Sequence, residues 1–329
     1  MDKLIMDFSE QLKEAMAIGQ AANISKPSRE IRNVVVSGLG GSGIGANLTG
    51  ELVVDELQVP FMVNKDYFLP DFVNEFSLVI ISSYSGNTEE TVHALNIART
   101  KKATIICVTS NGKILEIATE NKLDYIQIPE GMPPRACLGY SFVQQLFILN
   151  KLGLIGNKRI EELDKAVKLL DEQMETIQSS AKELAEKLYE KIPVIYVAAD
   201  MESVAVRFRQ QLNENSKILA WHHAIPEMNH NELVGWRDRN NDLAVVFLRN
   251  ETDFERIQQR MEISRNVISN CTDHIYDIFS KGNSKTERAL YLIHLTDWTS
   301  FYLAQLRSKD AVEVKVIDHL KGELAKQPF

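Results

Sequence analysis

Residues 34–47 read Val-Val-Val-Ser-Gly-Leu-Gly-Gly-Ser-Gly-Ile-Gly-Ala-Asn. A β-branched run feeds a loop with five glycines, Gly38, Gly40, Gly41, Gly43 and Gly45, together with Ser42, and the loop opens a segment of helical character. Glycine tolerates positive φ and lets the backbone approach a ligand, and the helix behind it presents unpaired N–H groups, so the combination is an anion cradle. A second such stretch begins about forty residues on: an apolar strand at residues 78–82 runs into a loop carrying Ser82, Ser83, Ser85 and Thr88. Hydroxyl donors and helix N-terminal amides suit a compact phosphate dianion, whose oxygens accept many hydrogen bonds without a permanent cation. Asn87 is placed to cap the next helix, with Glu90 three residues later closing a capping box.

A dinucleotide competes for the first loop, because Gly38, Gly40 and Gly43 satisfy G-x-G-x-x-G. That reading needs an acidic residue ending the second strand to hold the ribose hydroxyls. The strand at residues 59–64 ends instead in Asn64 and Lys65 before Asp66. The fingerprint is incomplete, and a phosphomonoester fits better than NAD. Serine and threonine clusters after strands often make only turns and N-caps. Two of them, each at the carboxyl end of an apolar strand, sit where open α/β sheets hold ligands.

Titratable groups gather elsewhere. Val204, Phe208 and Leu212 share one helical face, and Glu214 falls on another, away from that apolar stripe. Residues 226–232, Pro-Glu-Met-Asn-His-Asn-Glu, crowd His230 and Glu232 into one short segment. With His222 and His223 they could suggest a metal, but no pair has a recognised zinc spacing, and no metal is expected. Arg135 lies in a Pro- and Gly-rich loop at residues 129–140, ordinarily a setting for a solvated side chain.

The elements that position these groups are read from periodicity. An amphipathic helix is expected over residues 3–23, then strands at 34–36, 59–64, 78–82, 104–109 and 125–128 alternating with helices at 88–101 and 113–119 and from about Ser141. Apolar strands alternating with helices predict a parallel sheet covered on both faces, a doubly wound, flavodoxin-like α/β domain with right-handed crossovers. Residues 158–191 form a long charged helix with Leu163, Val167, Leu170, Met174, Ile177, Leu184 and Leu188 in one stripe, a connector between domains. The pattern then restarts with strands at 193–199 and 243–248 and helices at 204–212 and 252–268. Val34 and Val194 stand about 160 residues apart, as do the matching strands, which indicates a duplicated unit whose second copy has lost its phosphate loops. Two domains are expected, residues 1–155 with the phosphate loops and residues 156–329 with the linker helix and catalytic groups; a length of 329 residues agrees.

Composition narrows the function classes. A net charge of −8 argues against a nucleic-acid partner, which usually needs a basic face. Cys107, Cys137 and Cys271 are far apart and form no C-x-x-C pair, so a reducing compartment is expected. The N-terminal residues interrupt apolar side chains with charges, and no apolar run approaches the roughly 18 residues a membrane span requires. The expectation is a cytoplasmic protein with no membrane partner.

Taken in order, Gly40-Gly41-Ser42-Gly43-Ile44-Gly45, residues 83–91, Pro134-Arg135-Ala136, Asn213-Glu214-Asn215, residues 226–232 and Leu320-Lys321 make a specific signature over nearly the whole chain. The sequence resembles the bifunctional phosphoglucose/phosphomannose isomerase family of sugar isomerase (SIS) domain proteins. Cys137, Ser216 and Ala311 depart from the alanine, alanine and proline expected there, at positions without a chemical role. The resemblance implies two SIS domains, a homodimer with a shared active site, and sugar-phosphate substrates without a cofactor. It implies that Gly41, Ser42, Ser83, Ser85 and Thr88 hold the phosphate, that Glu214 moves a proton between C1 and C2, and that Arg135 faces the enediolate. His230, from the neighbouring subunit, would assist ring opening, and Lys321, or Lys315 nearby, would lie at the ring oxygen or hydroxyls. The alternatives are a non-catalytic SIS-domain sugar-phosphate sensor that regulates a partner, and a dehydrogenase, which the missing ribose acid disfavours.

Overall fold

The computed structural model describes residues 1–327. The first half runs α1 (Asp2–Met6), α2 (Phe8–Ala21), β1 (Asn33–Ser37), α3 (Gly40–Val53), β2 (Phe61–Asn64), β3 (Ser77–Ser82), α4 (Glu89–Thr100), β4 (Thr104–Thr109), α5 (Gly112–Glu120), β5 (Asp124–Gln127) and α6 (Leu138–Lys151). The second runs α7 (Lys158–Leu188), β6 (Ile192–Ala198), α8 (Glu202–Gln211), β7 (Trp221–Ile225), β8 (Leu243–Arg249), α9 (Glu255–Ile268), β9 (Ile275–Phe279), α10 (Lys285–Leu306) and α11 (Lys315–Leu324).

Each half builds one parallel sheet, ordered β2-β1-β3-β4-β5 and β7-β6-β8-β9. The strand order of the second sheet repeats the first four strands of the first, as a duplicated unit requires. All of β3 is buried, as a strand covered by helices on both faces must be, which is why its sequence is a continuous apolar run. The expected strands and helices are present with ends shifted by up to three residues. The N-terminal helix is interrupted at Asp7, yet Asp7 N–H still bonds Lys3 O and Gln11 N–H bonds Asp7 O, so α1 and α2 keep nearly one path.

One apolar core runs through both halves. It joins Leu12 and Ala15 of α2, Val34 and Val36 of β1, Leu163, Leu170 and Ile177 of α7, Ile195 and Val197 of β6, and Leu290 and Ile293 of α10. Helix α7, at 31 residues roughly 46 Å long at about 1.5 Å per residue, is therefore a core element as well as the link between sheets. Of the stripe read from its sequence, all but the half-buried Met174 is fully buried.

A carboxylate also crosses between halves. Glu51 of α3 accepts from the backbone N–H of Ser203 at 2.7 Å and from its hydroxyl, in the first turn of α8, while Lys285 Nζ donates to Glu51 O at 3.0 Å. Burial pushes the Glu51 carboxyl from 4.5 up to about 7 against these donors. A folded-state pKa above the unfolded one means that the group's contribution is complete below about 4.5 and is lost as pH rises through about 7. Urea unfolding of Glu51→Gln is expected to lose part of the parent's decline in stability between about pH 5 and pH 8, a difference of about 1–3 kcal/mol. Parallel pH profiles for the two proteins would show that Glu51 titrates normally.

Candidate active site

Strands β1 and β3 are hydrogen-bonded neighbours, and the strand order reverses at them, so the loops that leave them lie side by side at the carboxyl end of the sheet. Helix α3 starts after Leu39 and α4 after Thr88, and neither has a side-chain cap. The first-turn amides of both helices thus lack a side-chain cap, the kind of terminus that suits an anion. Ser42 and Ser83 are buried, Thr88 is half-buried and Ser85 is exposed. The Ser83 and Thr88 hydroxyls lie 3.0 Å apart and brace the second loop. Gly86, at φ +65°, closes that loop where a Cβ would sit 1.7 Å from Asn111 O. Asn87 does not cap α4, contrary to the expectation from its residue type. The loop leans toward α5, so Asn87 Oδ1 accepts from Lys113 N–H at 3.1 Å, and Thr88 takes the N-cap position in extended conformation.

The turn at residues 134–136 rests on the first loop. A Cβ on Gly41 would meet Pro134 O at 2.7 Å and Arg135 Cα at 3.7 Å, so the missing side chain is what admits Arg135 beside α3. Arg135 is no surface residue, being only 5% exposed. Its Nε donates to Asn215 Oδ1 at 2.9 Å, and its Nη2 donates to Ala311 O at 2.6 Å and Val312 O at 2.8 Å. Its Nη1 lies 3.6 Å from Glu214 Oε2. Burial lowers the guanidinium pKa, and Glu214, Asp310 and Glu313 oppose this; the group stays charged.

Glu214 is presented by an irregularity. Helix α8 ends at Gln211 and residues 212–216 widen into one π turn, closed by Lys217 in the left-handed region at φ 58°, ψ 42°. Such a bulge inserts a residue and rotates the chain beyond it, a feature common at functional sites. Asn215 Nδ2 donates to Ser300 Oγ at 3.0 Å and Ser216 Oγ to Ser300 O at 2.6 Å, fastening the turn to α10. Arg207 donates to Arg135 O at 3.1 Å and grips Asp297 by two bonds of 3.1 and 2.6 Å. Burial raises the Asp297 carboxyl, opposed by Arg207. Sequence alone assigned no role to Asn215, Arg207, Asp297 or Lys217. The Asn213-Glu214-Asn215 run flagged the first; nothing local flags Asp297.

Lys321 lines an open cavity of about 480 Å³ with Ser85, Thr88, Tyr67 and Leu320. Lys315 lines a neighbouring one of about 350 Å³ with Glu214 and Lys217, and Ile317 borders both. Helix α11 therefore lies across the cleft, placing Lys321 on the phosphate-loop side and Lys315 on the Glu214 side. His230 ends a turn at residues 227–230 after β7 and is exposed. Among the described residues it has no hydrogen bond or ion pair to any of these groups within one protomer. Glu232 is engaged locally, by the Tyr196 hydroxyl, Trp221 Nε1 at 3.1 Å and His223 Nδ1 at 2.9 Å. Among the described residues no set of three or more His, Cys, Asp or Glu side chains is placed to hold a metal ion, and no helix is long and apolar enough to cross a membrane.

The chain is similar to known proteins in both halves. Residues 29–153 match the SIS domain family, and residues 177–324 match the bacterial phospho-glucose isomerase C-terminal SIS domain. It is 40% identical to the bifunctional phosphoglucose/phosphomannose isomerase of Caldicellulosiruptor bescii over 99% of both chains. It is 37% identical to the enzyme so named from Aquifex aeolicus, over 92% of this chain and 94% of that one. The C-terminal domain of glucosamine-fructose-6-phosphate aminotransferase from Francisella tularensis superposes with a TM-score of 0.77 at 14% identity, covering 95% of this chain and 97% of that one, a likeness of fold. The parallel sheets and the full-length similarity agree, and the chain belongs to the bifunctional phosphoglucose/phosphomannose isomerase family of SIS-domain proteins.

Proposed function

We propose that the chain interconverts fructose 6-phosphate with glucose 6-phosphate and mannose 6-phosphate by proton transfer through an enediolate. The observation that carries this reading is the Glu214 carboxylate 3.6 Å from the buried Arg135 guanidinium, with the backbone of Arg135 resting on Gly41 of the first phosphate loop. The α3 and α4 amides with Ser42, Ser83, Ser85 and Thr88 hold the phosphoryl group, which supplies orienting energy remote from the reacting carbons. Glu214 takes a proton from C1 or C2 and returns it to the other carbon, a general acid/base contribution of about 10²–10⁴-fold. Negative charge then develops on oxygen, and Arg135, fixed by Asn215 and two carbonyls, meets it without reorganising. Return of the proton to one face of C2 gives glucose 6-phosphate; rotation about C2–C3 before return gives mannose 6-phosphate.

His230 of the partner subunit completes ring opening in a homodimer, in keeping with its exposure and with its lack, among the described residues, of any bond to Glu214. Lys321, beside Ser85 and Thr88, reaches the ring oxygen or hydroxyls. The scheme calls on no cofactor, and the three free cysteines support a reducing, cytoplasmic setting. A sugar-phosphate sensor would use the loops but has no need of a carboxylate facing a buried guanidinium.

Incubation with fructose 6-phosphate, a chelator and no nucleotide is expected to yield both aldose phosphates; binding without either product would favour the sensor. Glu214→Gln is expected to reduce kcat by about 10²–10⁴-fold with KM within a few-fold, and retained turnover would remove Glu214 from the base role. Ser42→Ala combined with Thr88→Ala is expected to weaken sugar-phosphate binding roughly a hundredfold, measured by calorimetry, and undiminished affinity would move the phosphate elsewhere. For Arg135→Lys a point charge replaces a planar fork, and a loss of about 10²–10³-fold in kcat is expected.

A further inference from the structure

Three successive carbonyls precede α11, and cations from the cleft reach all of them. Arg135 Nη2 takes those of Ala311 and Val312, and Lys217 Nζ donates to Glu313 O at 2.8 Å. The same ammonium donates to Glu214 O and lies 3.9 Å from Glu313 Oε1. A lysine bonding the last carbonyls of its own helix is ordinary C-terminal capping. The bond to Glu313 is different, because it spans 96 residues to the segment that leads into α11. Helix α11 has no buried residue, and Val316 is 83% exposed. Its attachment therefore rests on the strap at residues 311–313, where Ala311 is buried.

Lys217 also occupies a left-handed backbone position, which favours glycine, at the residue closing the π turn, where its N–H bonds Leu212 O. A lysine in that place brings its ammonium back under the turn and across to the strap. We propose that Lys217 is a positioning residue that ties the turn carrying Glu214 to the strap carrying α11, so that the carboxylate and the helix over the phosphate loops move as one unit. The inference rests on the reading of Glu214 as the base; it adds that Glu214 is held in register with the cover of its own cleft.

Lys217→Gly removes the ammonium while suiting the left-handed backbone, so the fold is retained, and Lys217→Arg keeps a donor that can reach both carbonyls. Hydrogen–deuterium exchange over residues 311–324 is expected to rise at least several-fold in Lys217→Gly, with kcat for fructose 6-phosphate falling roughly tenfold or more and KM changing less. Lys217→Arg is expected to restore both readouts in large part, which a merely structural loss would not predict. Unchanged exchange in Lys217→Gly overturns the strap. Raised exchange with unchanged kcat overturns its coupling to the chemistry. Full activity of Glu214→Gln would sink the base reading instead, leaving the exchange result intact.

Discussion

The constraint on which the site depends is the satisfaction of one buried guanidinium. An arginine taken out of water costs several kcal/mol unless its donors are met, and leaving it unpaired is strongly destabilising. Arg135 comes from the first half, but its partners come from the second: Asn215 and Glu214 from the π turn, and Ala311 and Val312 from the strap. Arg207 then secures its backbone and is itself neutralised by Asp297. Each contact made by Arg135 crosses between halves, so the hydrogen-bonding needs of one residue fix where the turn, the strap and the first glycine loop stand relative to each other.

That arrangement needs a rigid base, and the shared core supplies it. Two sheets of the same strand order could each have folded around its own core and moved as separate bodies. Instead α7 and α10 bury apolar residues against both, and Glu51 reaches from α3 to cap α8. The duplicated halves have diverged in what their loops offer. The first keeps glycine and hydroxyl loops at the reversal point of its sheet, while the second carries a short turn at residues 199–201 after β6 and places its polar groups on the π turn and after β7. The hydroxyl loops and the carboxylate that faces Arg135 thus come from different copies of one unit.

Much of this was legible in the sequence, and the rest escaped for identifiable reasons. The inner strands read clearly because burial on both faces demands continuous apolar runs. Strand β7, Trp-His-His-Ala-Ile at a sheet edge, carries three partly exposed residues and gave no such run. Helix α10 was missed because it is buried nearly all round, from Ala289 to Ser300, and so shows no polar face for a periodicity to reveal. Asn87 had the residue type of a cap, but tertiary packing turned it toward α5. Glu214 and Arg135 stood out by motif, whereas their proximity depended on a π turn, which a period of 3.6 residues cannot anticipate. Asp297 had no local signature at all, because its role exists only through Arg207.

The division of labour among donors has an energetic consequence. A chain of net charge −8 that takes an anionic substrate could have met the phosphate with its cations. The loops proposed for the phosphate offer amides and hydroxyls, with Lys321 bordering the second of them, while Arg135 and Lys217 are committed to carbonyls of the strap and stand beside Glu214. A cation on the phosphate would stabilise substrate and intermediate alike, and such uniform binding lowers KM without raising kcat. A guanidinium kept for the reacting end gains only when charge appears on oxygen there. Under the proposed mechanism its pairing with Glu214 works in the same direction: in the resting site the carboxylate balances the cation, and a proton taken by Glu214 removes that balance, so the guanidinium already in place is left to meet the charge on the enediolate oxygen. On that proposal proton transfer and charge stabilisation are coupled through one 3.6 Å contact, in keeping with the hydrogen bonds that hold the arginine still.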